Sequence, residues 1–290
     1  SSPSVDAAAL YRPSYVRALL AAQQIRLKQS LGQNFLCDRN VVEKIVRCAS
    51  LQPDDVVLEI GAGIGHLTCA LARHAASVIA VEIDARLIPI TRAVLDPLTH
   101  VTLVHADILA APLRDLCRQQ GMLPTVIVAN LPYYITSPVV LHVINAGLGV
   151  RSMTLTVQKE AAARLIAEPG QRGYGATAVL LHLWGAPQVC APVAPACFFP
   201  QPQVRSCVLH VTAHQPPRVP AHLAAPLRAL VHHAFNQRRK TLHNALAALC
   251  GSPAAAGALL AAAHLDPAAR AEALSPADFL RLAGAYTARS

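Results

Sequence analysis

The feature that most restricts how this chain can fold is a repeated alternation. Five short runs rich in β-branched residues, DDVVLEI (54–60), SVIAVEI (77–83), VTLVHA (101–106), TVIVAN (125–130) and SMTLTVQ (152–158), are each followed by a stretch with helical periodicity, at 66–74, 85–95, 112–119, 137–146 and 159–167. Strands that alternate with helices over short connections lie parallel, with each helix crossing back over a face of the sheet. The runs are almost continuously apolar, as strands covered on both faces must be. The expected fold is therefore α/β, a doubly wound, mostly parallel sheet. A further run, VRSCVLHVT (204–212), adds a strand after a proline-rich stretch at 187–202. Residues 213–220 read as a linker, and the Ala/Leu-rich segments beyond read as short helices. The expected organisation is a flexible leader (1–12), a main domain (13–212) and a small C-terminal all-α domain (213–290). Ser14 is the expected N-cap of a helix over 13–23, and Asp38 that of an amphipathic helix over 39–49.

Charge is distributed unevenly. Of the net +9, residues 151–250 carry +8 and residues 1–53 carry +4, while residues 54–150 carry −3. Basic blocks flanking an acidic one suggest phosphate contacts outside a central small-ligand region. AFNQRRKTLHN (234–244) places Arg238, Arg239 and Lys240 together. Such a run is often only a solvated helix face; inside the +8 block, RNA contact is the expectation. The eight cysteines form no CxxC and read as free thiols in a reducing compartment. The thirteen histidines show no ligand spacing, so no metal is expected. No apolar run approaches the ~18–20 residues needed to span a membrane, and the chain is expected to be soluble and cytoplasmic.

VVLEIGAGIGHL (56–67) sets a glycine-rich turn between a strand and a helix, where the backbone can approach a ligand and helix-end amides are free. A dinucleotide site would need G-x-G-x-x-G; here His66 stands where the third glycine would be. The sequence is G-x-G-x-G, the variant typical of S-adenosylmethionine enzymes. Glu82 ends the second run, 21 residues after Gly61, where a carboxylate can accept both ribose hydroxyls. Asp107 follows the third run and can accept the adenine amino group. Taken singly, each is an ordinary cap or loop carboxylate; with Asn130, three polar residues stand at successive strand ends, where ligands bind in open parallel sheets.

The fourth run ends in Asn130-Leu131-Pro132-Tyr133. An exocyclic amine on a base is a poor nucleophile because its lone pair is delocalised. The Asn130 amide oxygen and the Leu131 carbonyl can accept its two N–H groups and favour a tetrahedral nitrogen aimed at a methyl donor. Pro132 fixes the backbone that presents the carbonyl. Tyr133 can stack on an extruded base, worth ~1–3 kcal/mol. A simple Asn-x-Pro turn is the plainer reading; its place beyond the glycine turn favours the catalytic one.

Together, KQSLGQNFLCD, VLEIGAGIGHLT, VIAVEIDARL, VANLPYYITSP, VQKEAAARL, YGATAV, FFPQPQVRS and AFNQRRKTLHNAL closely resemble the bacterial small-subunit ribosomal RNA adenine dimethyltransferases, from about Ser14 to about Leu246. The resemblance implies a Rossmann-like class I methyltransferase domain that uses S-adenosylmethionine. It implicates Asn34 and Leu36, from the loop before the first strand, in cofactor binding beside Gly61, Glu82, Asp107 and Asn130. It places Phe198, first aromatic of F-x-P-x-P-x-V, on the target base opposite Tyr133. The implied reaction is N6 dimethylation of two adjacent adenosines in a hairpin loop near the 3′ end of 16S rRNA, in an immature 30S-like particle, by a monomer. Where the family usually has V-D-S, this chain has Val204-Arg205-Ser206, an expected surface change. A resistance-type methyltransferase acting on large-subunit rRNA is the rival within the enzyme class. A fold that binds RNA without catalysis is the rival outside it.

Overall fold

The computed structural model describes residues 5–27, 33–237 and 239–289. The loop residues Lys28 to Gly32 and Arg238, both named above, lie outside that range. The chain divides into two compact units, residues 1–162 with 188–212, and residues 163–187 with 213–290.

The first unit opens on a 3-10 turn, Ala7–Tyr11, where a loose leader was expected. Asp6 caps it by accepting the Ala8 amide at 2.9 Å, and Leu10 is wholly buried among Val16, Ile64 and Leu87. Helix α1 (Pro13–Ala22) starts two residues earlier than a Ser14 cap requires. Pro13 occupies its first turn, where a missing N–H costs nothing, and Arg12 stands at the cap. Strand β1 is Phe35–Leu36. Asp38 caps α2 (Arg39–Ala49) as expected, accepting the Val41 amide at 3.1 Å. Then follow β2 (Val56–Ile60), α3 (His66–Ala72), β3 (Ser77–Glu82), α4 (Ile88–Leu95), β4 (Val101–His105), α5 (Leu113–Gln119), β5 (Val126–Asn130), α6 (Thr136–Ala146), β6 (Ser152–Gln158) and α7 (Lys159–Leu165).

The seven-stranded sheet has the order β4-β3-β2-β5-β6-β9-β7, where β7 is Gly185–Val193 and β9 is Ser206–Ala213. Strands β2 to β6 pair in parallel, and β9 runs antiparallel to β6. The chain moves outward from β2 to β4, then returns to β5 beside β2. This reversal opens a crevice at the carboxyl ends of β2 and β5, the place where such sheets bind ligands. Most of strand β7 lies in the proline-rich stretch 187–202, for which no strand was expected. It lies last in the order, and an edge strand tolerates Pro187 and Pro192. Strand β8 (Phe198–Phe199) leaves the main sheet and pairs with β1 alone.

At the opposite, amino ends of the strands, Asp55 is 2 % exposed and joins three elements. It accepts the Gln52 amide at 2.6 Å, the Thr125 hydroxyl at 2.7 Å and the Arg151 guanidinium, whose Nη2 lies 2.6 Å away. Burial opposes its ionisation, but these donors prevail and lower its pKa. The stabilisation is therefore complete above the usual aspartate range and is lost as pH falls below it. Asp55→Ala should lower unfolding free energy by about 2–4 kcal/mol, since it leaves buried donors unpaired. Urea unfolding at pH 7 checks this; a midpoint equal to wild type would show the cluster to be energetically idle.

The second unit contains α8 (Ala176–Trp184), α9 (Ala224–Asn236), α10 (Leu242–Cys250), α11 (Pro253–Ala262) and α12 (Pro276–Thr287). Residues 163–187 join it because Tyr174 is buried there. Its hydroxyl donates to the Leu274 carbonyl at 2.7 Å, and its ring meets Phe235 edge-on, at 5.9 Å. Ser275 and Asp278 form a reciprocal cap on α12. Among the described residues, no single helix is long and apolar enough to cross a membrane.

Candidate active site

One cavity occupies the crevice at the β2/β5 reversal. It is lined by Asn34, Leu36, Gly61, Glu82, Asp107, Asn130, Leu131, Pro132, Tyr133 and Phe198. The fold thus brings together every central site residue expected from sequence. These residues come from six separate segments of the first unit.

The glycine turn is shaped by backbone geometry. Gly61 and Gly63 adopt φ of +82° and +59°, which side chains disfavour. A Cβ on Gly61 would come within 3.4 Å of the Asn130 carbonyl, and one on Gly63 within 3.3 Å of the Phe35 ring. Small residues here let β2 and β5 converge at one point. The Gly63 amide donates to Glu82 at 2.7 Å and the Asp84 amide donates to its other oxygen at 2.8 Å. Each carboxylate oxygen has a further lone pair for a ligand hydroxyl. Burial raises the Glu82 pKa against the pull of these amides.

Behind Glu82 stands a clamp that the sequence reading missed. Arg86 grips Asp84 through Nε at 2.9 Å and Nη2 at 2.6 Å, and Gln33 donates to Asp84 at 2.8 Å. Burial works against ionisation of Asp84, yet the Arg86 and Gln33 hydrogen bonds carry its pKa down to about 2. Asp107 lies two residues past the end of β4, and its Oδ1 accepts the Leu109 amide at 2.9 Å. No hydrogen bond to its Oδ2 is found among the described residues, which leaves that oxygen able to accept from a ligand.

Asn130 is the last residue of β5. Its Nδ2 donates to the Asn34 carbonyl at 3.3 Å, which leaves Oδ1 as the acceptor. The Leu131 amide bonds to the Thr156 carbonyl at 3.2 Å, so β6 anchors the turn. The half-buried Tyr133 ring has its hydroxyl beside Ser206, and burial raises its pKa. Phe198 reaches the cavity through the β1–β8 ribbon, in which Leu36 pairs with Phe198 and Cys37 donates to the Cys197 carbonyl at 2.7 Å.

Further lining residues escaped the sequence reading. Ile83 and Ile108 each follow a site carboxylate, and Ile83 is 48 % exposed, a large apolar side chain on the cavity wall. His66 is buried at the start of α3, edge-on to Tyr11 at 5.8 Å; burial drives its pKa down to about 4, so it is neutral. The Glu-Ile and Asp-Ile pairs were a signal that could have been used; His66 carried none.

The donor set fits S-adenosylmethionine: paired acceptors for ribose hydroxyls on Glu82, an acceptor at Asp107 for an adenine amine, and apolar walls between them. The family model described as "Ribosomal RNA adenine dimethylase" matches residues 24–288. This chain belongs to that family. It is 41% identical over 288 residues to the ribosomal RNA small subunit methyltransferase A of Streptomyces coelicolor, covering 98% of both chains. It is 38% identical over 281 residues to the protein of that name from Alkaliphilus metalliredigens, covering 96% of this chain and 98% of the relative. Among solved structures, the 23S rRNA methyltransferase ErmE matches with a TM-score of 0.62 at 27% identity, covering 87% of this chain and 99% of that one. A Plasmodium falciparum dimethyladenosine transferase, 24% identical, shares the fold with a TM-score of 0.69 over 84% of this chain and 94% of its own. As a rRNA adenine dimethylase, the chain is a class I methyltransferase dependent on S-adenosylmethionine.

One expectation needs correction. Arg239 and Lys240 lie not on a helix but in the exposed turn between α9 and α10, because α9 ends at Asn236 and Thr241 caps α10. Arg205 is exposed and its carbonyl accepts the Lys159 amide at 3.0 Å, so this departure leaves the loop's backbone anchored.

Proposed function

We propose that the chain dimethylates N6 of two adjacent adenosines in a hairpin loop near the 3′ end of 16S rRNA. It acts as a monomer in the cytoplasm, on an immature small-subunit particle. The observation that carries this reading is Asn130, which stands at the sheet's reversal with its amide N–H engaged and its oxygen left to accept.

When bound, S-adenosylmethionine supplies an electrophilic methyl group on a positively charged sulfur. Glu82, Asp107, Asn34 and Leu36 hold and orient it, with Gly61 allowing close approach. Asn130 Oδ1 and the Leu131 carbonyl accept the two N–H groups of the target amine, localising its lone pair. Pro132 stiffens the presenting backbone, and Tyr133 with Phe198 encloses the extruded base and excludes water. No strong base is needed, since an alkylated amine loses its proton readily.

Binding to the particle rests on Arg238, Arg239 and Lys240 contacting phosphate, which positions the RNA without reading its sequence. Arg239→Ala should reduce the slope of log affinity against log salt by about 1. Titrating particle binding at several salt concentrations tests this; an unchanged slope would remove the turn from the interface. The likeness to ErmE raises the reading of a large-subunit substrate, but the higher identity to small-subunit enzymes over nearly the whole chain favours the first. Labelled methyl transfer to immature small subunits and to naked large-subunit rRNA separates the two: transfer to only the latter defeats the proposal.

A further inference from the structure

Strand β8 presents its two aromatic side chains to different cavities. Phe198 lines the active site, while Phe199 lines a separate groove with Arg17, Leu20, Gln24, Ile25 and Arg26. Successive residues of a strand point to opposite faces. The pairing of Phe35 with Phe199 and Leu36 with Phe198 holds the two rings in this arrangement. The groove has an apolar floor of buried Leu20 and Ile25, and Arg17, Gln24 and Arg26 on its rim are exposed. The Arg17 guanidinium stands 5.3 Å from the centre of the Phe199 ring. Among the described residues, neither Arg17 nor Arg26 is ion-paired. The groove is tied to the active site: Arg86 donates to the Arg26 carbonyl at 2.6 Å while gripping Asp84, whose other partner, Gln33, lines the first cavity.

We infer that this groove holds the nucleotide adjacent to the target adenosine, its base against the Arg17–Phe199 pair and its phosphate on Arg17 and Arg26. The inference rests on the function proposed above and adds the second nucleotide subsite. An aromatic ring with a stacked guanidinium is the pairing that receives splayed bases of single-stranded RNA. Two unpaired cations on the rim match the phosphate of the same nucleotide. Consecutive strand residues facing separate cavities suit consecutive bases turned away from each other. An acidic peptide would satisfy the arginines but leave the Phe199 ring unused.

The test pairs two variants with two RNAs. Immature small subunits are reconstituted with intact rRNA, or with rRNA in which one of the two adenosines is replaced by an abasic ribose. Arg17→Ala and Phe199→Leu, which keeps apolar packing against α1, are compared with wild type. On intact RNA each variant should lose about tenfold in kcat/KM. The abasic RNA should cost the wild type a similar factor and cost Phe199→Leu nothing further, while Arg17→Ala, which also gives up the phosphate contact that the abasic nucleotide keeps, should stay below wild type on it. Losses that multiply for Phe199→Leu, or variants that match wild type on intact RNA, would overturn the inference. So would reduced cofactor affinity by calorimetry, which would assign the defect to the first cavity. Failure of wild type to methylate either RNA would instead bring down the function itself.

Discussion

Replacing Asn130 with alanine is expected to slow methyl transfer by about 10²–10³-fold, the usual cost of deleting one group aimed at the reacting centre. The side chain has two jobs that the structure separates. Its Nδ2 donates to the Asn34 carbonyl at 3.3 Å, which steadies the segment leading into β1. In the proposed function its Oδ1 accepts from the target amine, and only this part would bear on the chemical step. The Leu131 carbonyl remains after substitution, because β6 holds its backbone through the Thr156 carbonyl at 3.2 Å. The residual rate should reflect that second acceptor together with binding. Calorimetry with S-adenosylmethionine and a particle-binding titration complete the measurement. Near-normal binding beside a collapsed kcat supports the assigned role. Loss of cofactor and particle binding together would make Asn130 a structural residue.

The second large effect concerns Glu59, which β2 buries completely one residue before the glycine turn's approach. Burial pushes its pKa up to about 8, with the Thr68 hydroxyl beside it pulling down and the Glu82 charge pushing up. The folded protein therefore keeps this proton over a range in which the unfolded chain releases it. Below the ordinary glutamate value both states are protonated and no difference arises. Between there and about 8 the unfolded state gains, so stability falls as pH rises, by an amount on the order of 5 kcal/mol. Glu59→Gln removes the titration and should flatten most of the decline between pH 5 and 8.5. A residual slope of the same sign belongs to Glu82, whose pKa burial also raises. The lowered aspartates Asp55, Asp84 and Asp278 act with opposite sign and in a more acidic window. Urea unfolding across this pH series decides: equal slopes in the two proteins would mean that Glu59 ionises in place or is not buried in solution.

Much of the site was legible in the sequence, for local reasons. Glu82 and Asn130 stand at the ends of β-branched runs, and Asp107 lies just beyond one, so parallel strands of similar length put them on one edge. The turn at Gly61 and Gly63 announced itself because only glycine takes those backbone angles easily. Other features were hidden. The proline-rich stretch 187–202 carried no strand signal, and only its place at the sheet edge lets its first residues pair within β7. Arg239 and Lys240 looked helical until the Thr241 cap put them in a turn. The clamp of Arg86 on Asp84 needed knowledge of which side chain turns back.

By itself the sequence determined the order of strands and helices, the parallel sheet and the tight glycine turn, because each depends on the residue type at short range. The tertiary structure alone decided two further placements: Phe199 over its own groove, and the Asn130 amide turned to Asn34. Those contacts depend on where distant segments meet, as when residues 35–36 pair with 198–199. A hydrogen-bonded ribbon closed across so long a loop leaves no periodicity behind in either of its short strands.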